Sequence, residues 1–224
     1  MRVSTDNRGS GDTLRITEIF FSLQGEARSV GRPTTFVRLT GCPLRCQYCD
    51  TAYAFTGGTT MSLDDICERV ADNPARHVTV TGGEPLAQPG VHGLMRRLAD
   101  AGYAVSLETS GALDVAQVDP RVSRVVDFKT PGSREAHRNR FENVPYLGEA
   151  DQVKFVICNR DDYEWAKACC AEHDLTRRVG DVLFSPSAGE MDPASLADWI
   201  LADGLDVRFQ IQLHKLLWGD EPGR

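Results

Sequence analysis

No apolar run in the 224 residues reaches the roughly 18 that a membrane-spanning helix requires, which sets aside a helix-anchored membrane protein. The polar start, residues 1–12, also lacks the apolar stretch of a signal peptide, so a cytoplasmic location is expected. Positive charge is short: 25 Lys and Arg face 32 Asp and Glu, a net charge of -7. Nucleic acid and anionic membranes are therefore not expected as partners, because neither gains counterion release or basic contacts from such a chain. A small molecule fits better. Repeats and low-complexity tracts are missing, and His77, His92, His137 and His173 stand scattered, without metal-ligand spacing. With seven cysteines, an odd number, and no secretion signal, reduced thiols and metal binding are expected over disulfides.

The segment Cys42-Pro43-Leu44-Arg45-Cys46-Gln47-Tyr48-Cys49-Asp50 lacks something too: its thiols fall at CxxxCxxC spacing, and no fourth cysteine follows nearby. Thiolates select soft metals and iron–sulfur clusters, and both a structural zinc and a simple electron-carrying cluster usually take four protein ligands. A [4Fe-4S] cluster on three cysteines keeps one iron open to a small molecule. A structural zinc loop and an accidental grouping are the rival readings. Cys67, Cys158, Cys169 and Cys170 read as small buried groups, so no second cluster is expected.

Strands alternate with helices along the rest of the chain, which predicts parallel βα units in one sheet. Residues 36–39 form the expected first strand and run straight into the cysteine loop. Ser62 offers an N-cap with Asp65 three residues on, and Leu63, Ile66, Cys67 and Val70 share one helical stripe. Residues 77–81 read as the next strand, and Val91, Leu94, Met95 and Leu98 mark the helix after it. Strands are expected at 105–107, 122–128, 153–157 and 182–184, and helices at 161–173 and 192–202, the latter with Pro193 in its first turn. A last strand is expected over 207–213, where Val207, Phe209, Ile211 and Leu213 alternate with polar residues. The basic run 134–140 reads as a solvated helix or loop, and residues 1–12 as a disordered tail before one domain over 13–224. That length falls below the roughly 250 residues of a closed eight-stranded barrel, so a partial barrel is expected.

Ligands of parallel α/β folds bind at the carboxyl ends of the strands. Thr81-Gly82-Gly83-Glu84-Pro85 lies at one such end, where the glycines allow close backbone approach and Glu84 can accept from an ammonium group. Glu108-Thr109-Ser110-Gly111 and Asp127-Phe128-Lys129 end two more strands. Taken singly, each of these would be a tight turn, a helix cap or a solvated strand end.

The CxxxCxxC loop with Tyr48 before its last cysteine, followed by the GGEP segment, resembles the radical S-adenosylmethionine superfamily. Leu23-Gln24-Gly25-Glu26, Gly31-Arg32-Pro33, the strand bearing Arg38, Cys49-Asp50-Thr51 and the closing Gln212-Leu213-His214-Lys215 resemble, more narrowly, the 7-carboxy-7-deazaguanine synthases. The resemblance runs over nearly the whole chain after residue 14. It implies a shortened, partial (β/α)6 barrel, a homodimer and a [4Fe-4S] cluster on Cys42, Cys46 and Cys49. S-Adenosyl-L-methionine would lie against Tyr48, Cys49, Asp50, Gly82, Gly83, Glu84, Glu108, Asp127, Phe128, Lys129, Ser185 and Pro186. The substrate, 6-carboxy-5,6,7,8-tetrahydropterin, would meet Leu23, Gln24, Gly25, Glu26, Arg38, Thr81, Gln212 and His214, with Arg38 on its carboxylate, while Thr51 would ligate Mg2+. The implied reaction is a radical ring contraction to 7-carboxy-7-deazaguanine with loss of ammonia, a carbon–nitrogen lyase step of queuosine or other 7-deazapurine biosynthesis. It would draw its electron from a flavodoxin or ferredoxin. The chain departs from the pattern at Ser110, where many relatives carry asparagine, and over residues 218–224. A glycyl-radical enzyme activase is the runner-up, disfavoured by the LQGE segment and Arg38. A simple iron–sulfur electron carrier or zinc-stabilised module would leave GGEP without a purpose.

Overall fold

Leu14 and Ile16 alternate with Thr13, Arg15 and Thr17, and this period-2 pattern builds β1 (Thr13–Leu23). The expected strand order, beginning at residue 36, does not contain it. The computed structural model describes residues 12–219, 221 and 223. Of the tail expected over 1–12, only Asp12 is among them, and its carbonyl accepts the Leu63 N–H at 3.1 Å; the remainder lies outside the described residues.

β1 pairs antiparallel with β2 (Pro33–Leu39) on one side and with β3 (Thr59–Ser62) on the other. From β2 onward every pairing is parallel, through β4 (His77–Gly82), β5 (Ala104–Thr109), β6 (Ser123–Asp127), β7 (Gln152–Ile157), β8 (Asp181–Pro186) and β9 (Arg208–Phe209). One open sheet of nine strands results, its parallel part being a partial (β/α) barrel.

Helices α1 (Leu63–Ala71), α2 (Val91–Asp100), α3 (Arg160–Glu172), α4 (Leu175–Arg178) and α5 (Pro193–Asp203) connect the strands. Ser62 and Asp65 form the expected capping box, and Asp192 caps α5 ahead of Pro193. The β5–β6 connection holds no α-helix, and the β6–β7 connection, including residues 134–140, is built of short 3-10 turns. Val37, Val80, Leu107, Val126, Val153 and Phe155 turn to the helices and pack on Ile66, Leu94, Met95, Tyr163 and Leu196. The other face of the same strands lines a cavity.

The expected strand over 207–213 shrinks to Arg208–Phe209. Pairing with β8 stops at Phe209, opposite Phe184, and once the Gln210 N–H has donated to the Phe184 carbonyl at 3.1 Å the chain leaves the sheet. Leu213 N–H donates to the Gly25 carbonyl at 3.0 Å, and Leu213–Trp218 coil into a short helix, α6. Alternation alone suggested a strand; the chain instead folds its polar residues inward toward β1. Among the described residues, no helix is long and apolar enough to cross a membrane.

Candidate active site

A cavity of about 400 Å³ opens at the carboxyl ends of the parallel strands. The register sets its wall: Arg38 pairs with Thr81, Asp127 with Lys154, and Val156 with Ser185, so that the inward residues of neighbouring strands meet the cavity side by side. Cys42, Cys46 and Cys49 line it, and so do Tyr48, Asp50 and Thr51. Burial raises the Cys42 thiol, and pushes Cys46 up to about 11 even though Lys129 pulls it down.

The thiol loop is fastened from several sides. Glu84 N–H donates to the Gly41 carbonyl at 2.8 Å, and Gly83 packs so tightly that a Cβ there would fall 2.0 Å from the Gly41 oxygen and 3.1 Å from the Cys42 Cβ. A backbone atom cannot swing away as a side chain can. Gly83→Ala is therefore expected to destabilise the protein by at least about 2 kcal/mol, and to lower the iron content of reconstituted protein, measured by thermal unfolding and metal analysis.

Two of the expected cofactor contacts stand outside the cavity lining. The fully buried Glu84 carboxylate accepts from Leu86 N–H at 3.0 Å, from the Thr109 hydroxyl at 2.9 Å and from Ser110 N–H and hydroxyl at 2.7 and 2.5 Å. It ties the GGEP turn to the end of β5 instead of facing the cavity. Phe128 lies in the apolar core, its ring 5.0 Å from Phe141 and 6.4 Å from Phe155. Gly82, Gly83, Glu108, Asp127, Lys129, Ser185 and Pro186 do face the cavity.

The substrate residues expected from the resemblance, Leu23, Gln24, Gly25, Glu26, Arg38, Thr81, Gln212 and His214, all line it as well. Arg38 Nε donates to Glu18 at 2.7 Å, the same oxygen that accepts from Tyr53 at 2.7 Å, and its guanidinium lies over the Phe20 and Tyr53 rings. No partner engages the two Nη groups among the described residues. Gln24 Nε2 donates to Thr79 at 3.0 Å and to Glu108 at 3.3 Å, and the Thr81 hydroxyl donates to Glu108 at 3.1 Å. Burial, with Glu26 nearby, raises the Glu108 pKa. Gln212 donates to Glu26 at 2.7 Å and to Asp50 at 3.2 Å. Gly25 leaves room for His214: a Cβ there would fall 2.1 Å from its Nδ1. Burial lowers the His214 pKa, so its imidazole is neutral at pH 7.

Lys154, which no motif marks, is the hub of this floor. Its Nζ lies 2.7 Å from Glu26 and 3.3 Å from Asp127, and Asp127 also meets Lys129 Nζ at 3.0 Å. Burial opposes both ammonium charges, but Glu26 and Asp127 outweigh it for Lys154, and Asp127 with Cys46 for Lys129, so both pKa values are raised. A lysine amid the apolar residues of a parallel strand was the available signal, because such a charge is buried only when paired.

Three buried polar atoms on the cavity wall have no hydrogen-bond partner in the protein: Tyr48 Oη, Asp127 Oδ1 and Ser185 Oγ. Unpaired buried polar groups are costly, and all three belong to residues that line the cavity with the thiols. Among the described residues no three His, Cys, Asp or Glu side chains converge on one ion-sized point. Residues and cavity fit a [4Fe-4S] group with a polar molecule at its open iron.

Comparison with known proteins agrees. Residues 36–124 match the model of the Radical SAM superfamily, and the thiol loop, the parallel sheet and the cavity at its strand ends define a radical S-adenosylmethionine barrel enzyme, with its [4Fe-4S] cluster and S-adenosylmethionine. The crystal structure of QueE from Escherichia coli shares the fold, with a TM-score of 0.73 at 24% identity, over 90% of this chain and 95% of that one. The 7-carboxy-7-deazaguanine synthase of Chlorobaculum tepidum is 44% identical over 93% of this chain and 96% of its own, and that of Koribacter versatilis 43% identical over 93% and 98%. The chain belongs to the 7-carboxy-7-deazaguanine synthase family.

Proposed function

We propose that the chain converts 6-carboxy-5,6,7,8-tetrahydropterin to 7-carboxy-7-deazaguanine with loss of ammonia, as a lyase of 7-deazapurine biosynthesis. The observation that carries this reading is the shared cavity: the thiol loop and the Arg38, Glu26 and His214 set face one space. When bound, the cluster with S-adenosylmethionine supplies one-electron cleavage to a carbon radical. The chain's own residues orient the molecules around it. Arg38 has two Nη groups left for the substrate carboxylate, while Glu18 and Tyr53 fix the guanidinium plane. Glu26, held by Lys154 and Gln212, is a carboxylate acceptor for the aminopyrimidine edge, and neutral His214 can either donate or accept beside it. Tyr48, Asp127 and Ser185 offer their unpaired atoms to S-adenosylmethionine.

Arg38→Ala tests the substrate assignment. It is expected to weaken the carboxylated pterin by about 1.5–3 kcal/mol, on the order of 10–150-fold in Kd, with S-adenosylmethionine binding nearly unchanged. Equal losses in the two titrations would make Arg38 a structural partner of Glu18 only. Thr51, whose hydroxyl lies 3.7 Å from Cys49 Sγ at the cavity wall, is assigned to Mg2+, which takes few protein ligands and keeps several waters. Chelating Mg2+ is expected to slow product formation while cleavage of S-adenosylmethionine continues. An unchanged product rate would remove Thr51 from the metal site.

The family resemblance supports a homodimer and an external electron donor, flavodoxin or ferredoxin. A cytoplasmic setting accords with the seven described cysteines, none of which is in a disulfide.

A further inference from the structure

The cluster needs an electron from outside, and the described residues hold no second group of cysteines to relay it: Cys67, Cys158, Cys169 and Cys170 are scattered singly or as one adjacent pair on α3. A donor must therefore approach the outer wall of the thiol loop. That wall is Arg45 and Gln47, the exposed residues flanking Cys46.

The 134–140 segment lies directly against it. Gln47 N–H donates to the Ser133 carbonyl at 3.2 Å, and Arg45 N–H donates to Glu135 Oε1 at 2.6 Å. Arg134 therefore sits between two residues that touch the loop, and Arg138 follows one tight turn later, its N–H on the Glu135 carbonyl at 2.9 Å. Arg45, Arg134, Arg138 and Arg140 are all exposed. The Arg45 guanidinium folds onto the Cys42 and Leu44 carbonyls and over the Phe55 ring at 4.3 Å, and among the described residues it forms no ion pair. Neither Arg134 nor Arg138 meets an acid among the described residues, and Arg140 faces Asp114 only at 3.9 Å. Two carboxylates share this wall, Glu135 on the Arg45 N–H and Glu190 on the Gln47 amide at 2.9 Å and the Ser187 hydroxyl at 3.1 Å, so three arginines, Arg45, Arg134 and Arg138, stand there against two acids. In a chain of net charge -7, a basic surface lies against the one loop where an electron must arrive.

We infer that Arg134, Arg138 and Arg45 form the docking surface for an acidic one-electron carrier protein. Charge complementarity steers such a partner and sets its orientation, with a rate that falls as salt rises. In the encounter the carrier loses one electron and the cluster gains it, and no group passes between the proteins. The inference rests on the cluster reading above and deepens it by naming how the cluster is reached.

The test uses cluster-reconstituted full-length protein and flavodoxin, an acidic carrier, as the probe. Arg134→Glu/Arg138→Glu is compared with Arg177→Glu/Arg178→Glu, an equal charge change on α4, before β8 at the opposite end of the sheet. Expected for the first pair are about tenfold weaker binding of oxidised flavodoxin by titration calorimetry at low salt, about tenfold slower cluster reduction by reduced flavodoxin, and a flattened salt dependence. S-Adenosylmethionine cleavage driven by dithionite, which needs no docking, stays at the wild-type rate. Wild-type flavodoxin binding and reduction in the first pair would overturn the inference, as would an equal loss in the second pair. If dithionite drives no cleavage in the unaltered protein, the cluster reading itself fails and the docking inference falls with it.

Discussion

Replacing Cys42, Cys46 or Cys49 singly by alanine is expected to abolish intact cluster loading and, with it, turnover. The three thiols line one cavity, and no fourth cysteine stands by to replace a lost one. Folding should survive, because the loop is held by backbone contacts that leave the sulfurs out: Gly41 to Ala54 and Glu84, and Gln47 to Ser133. Removing a half-buried thiol should cost about 1 kcal/mol or less. Iron analysis and the visible spectrum of each reconstituted variant, beside its thermal midpoint, check both halves. Cys169→Ala is the control: its thiol is buried in α3 against the core, and iron loading should be unaffected. A normal cluster in any one of the three variants would remove that cysteine as a ligand.

Lys154→Met is expected to give the largest loss of stability. It deletes the cation between Glu26 and Asp127 while nearly preserving shape, and leaves carboxylates facing one another, with Glu108 close by, in a wall where Lys154 and Glu26 are only 15% and 13% exposed. Breaking a buried pair on one side costs about 3 kcal/mol, which for a protein of this size lowers the midpoint by on the order of 6–12 °C. The pH dependence carries a sign. Because the Lys154 pKa is raised, its contribution is complete below its ordinary value of about 10.4 and is lost only as pH rises through the folded value, so it is constant between pH 5 and 8 in the unaltered protein. Without it, the buried Glu108, already raised by burial and Glu26, loses the ammonium that holds it down and keeps a proton that the unfolded chain has released, so the variant should gain stability as pH falls from 8 to 5. Denaturant midpoints at the two pH values read this directly. A variant as stable as the parent, with the parent's pH profile, would mean that Lys154 is not the hub of the cavity floor.

Local chemistry made much of the site legible. Three cysteines without a fourth, and a GGEP turn one βα unit later, are short-range patterns, and the structure brings both to one cavity. The Ser62 and Asp65 cap and the Pro193 start are equally local, and both helices begin there. The losses come where a long-range partner decides. Glu84 has a carboxylate's appetite for donors, but whether an ammonium group or the end of β5 satisfies it depends on how Thr109 and Ser110 close over the turn. Residues 207–213 alternate as a strand would, yet pairing with β8 stops at Phe209, and the Gln210 and Gln212 side chains bond to Ala27, Glu26 and Asp50. β1 was written in the alternation of Leu14 and Ile16, but its antiparallel pairing with β2 and β3 breaks the parallel rule that governs the rest. Lys154 had no motif at all; only its charge in an apolar strand pointed inward.

The most direct test is an anaerobic assay of cluster-reconstituted protein with dithionite, S-adenosylmethionine, Mg2+ and 6-carboxytetrahydropterin, with products identified by mass spectrometry. The account predicts 7-carboxy-7-deazaguanine together with 5'-deoxyadenosine. Formation of 5'-deoxyadenosine with no deazapurine would contradict the substrate assignment and bring a glycyl-radical activase forward, leaving only the radical S-adenosylmethionine chemistry in place.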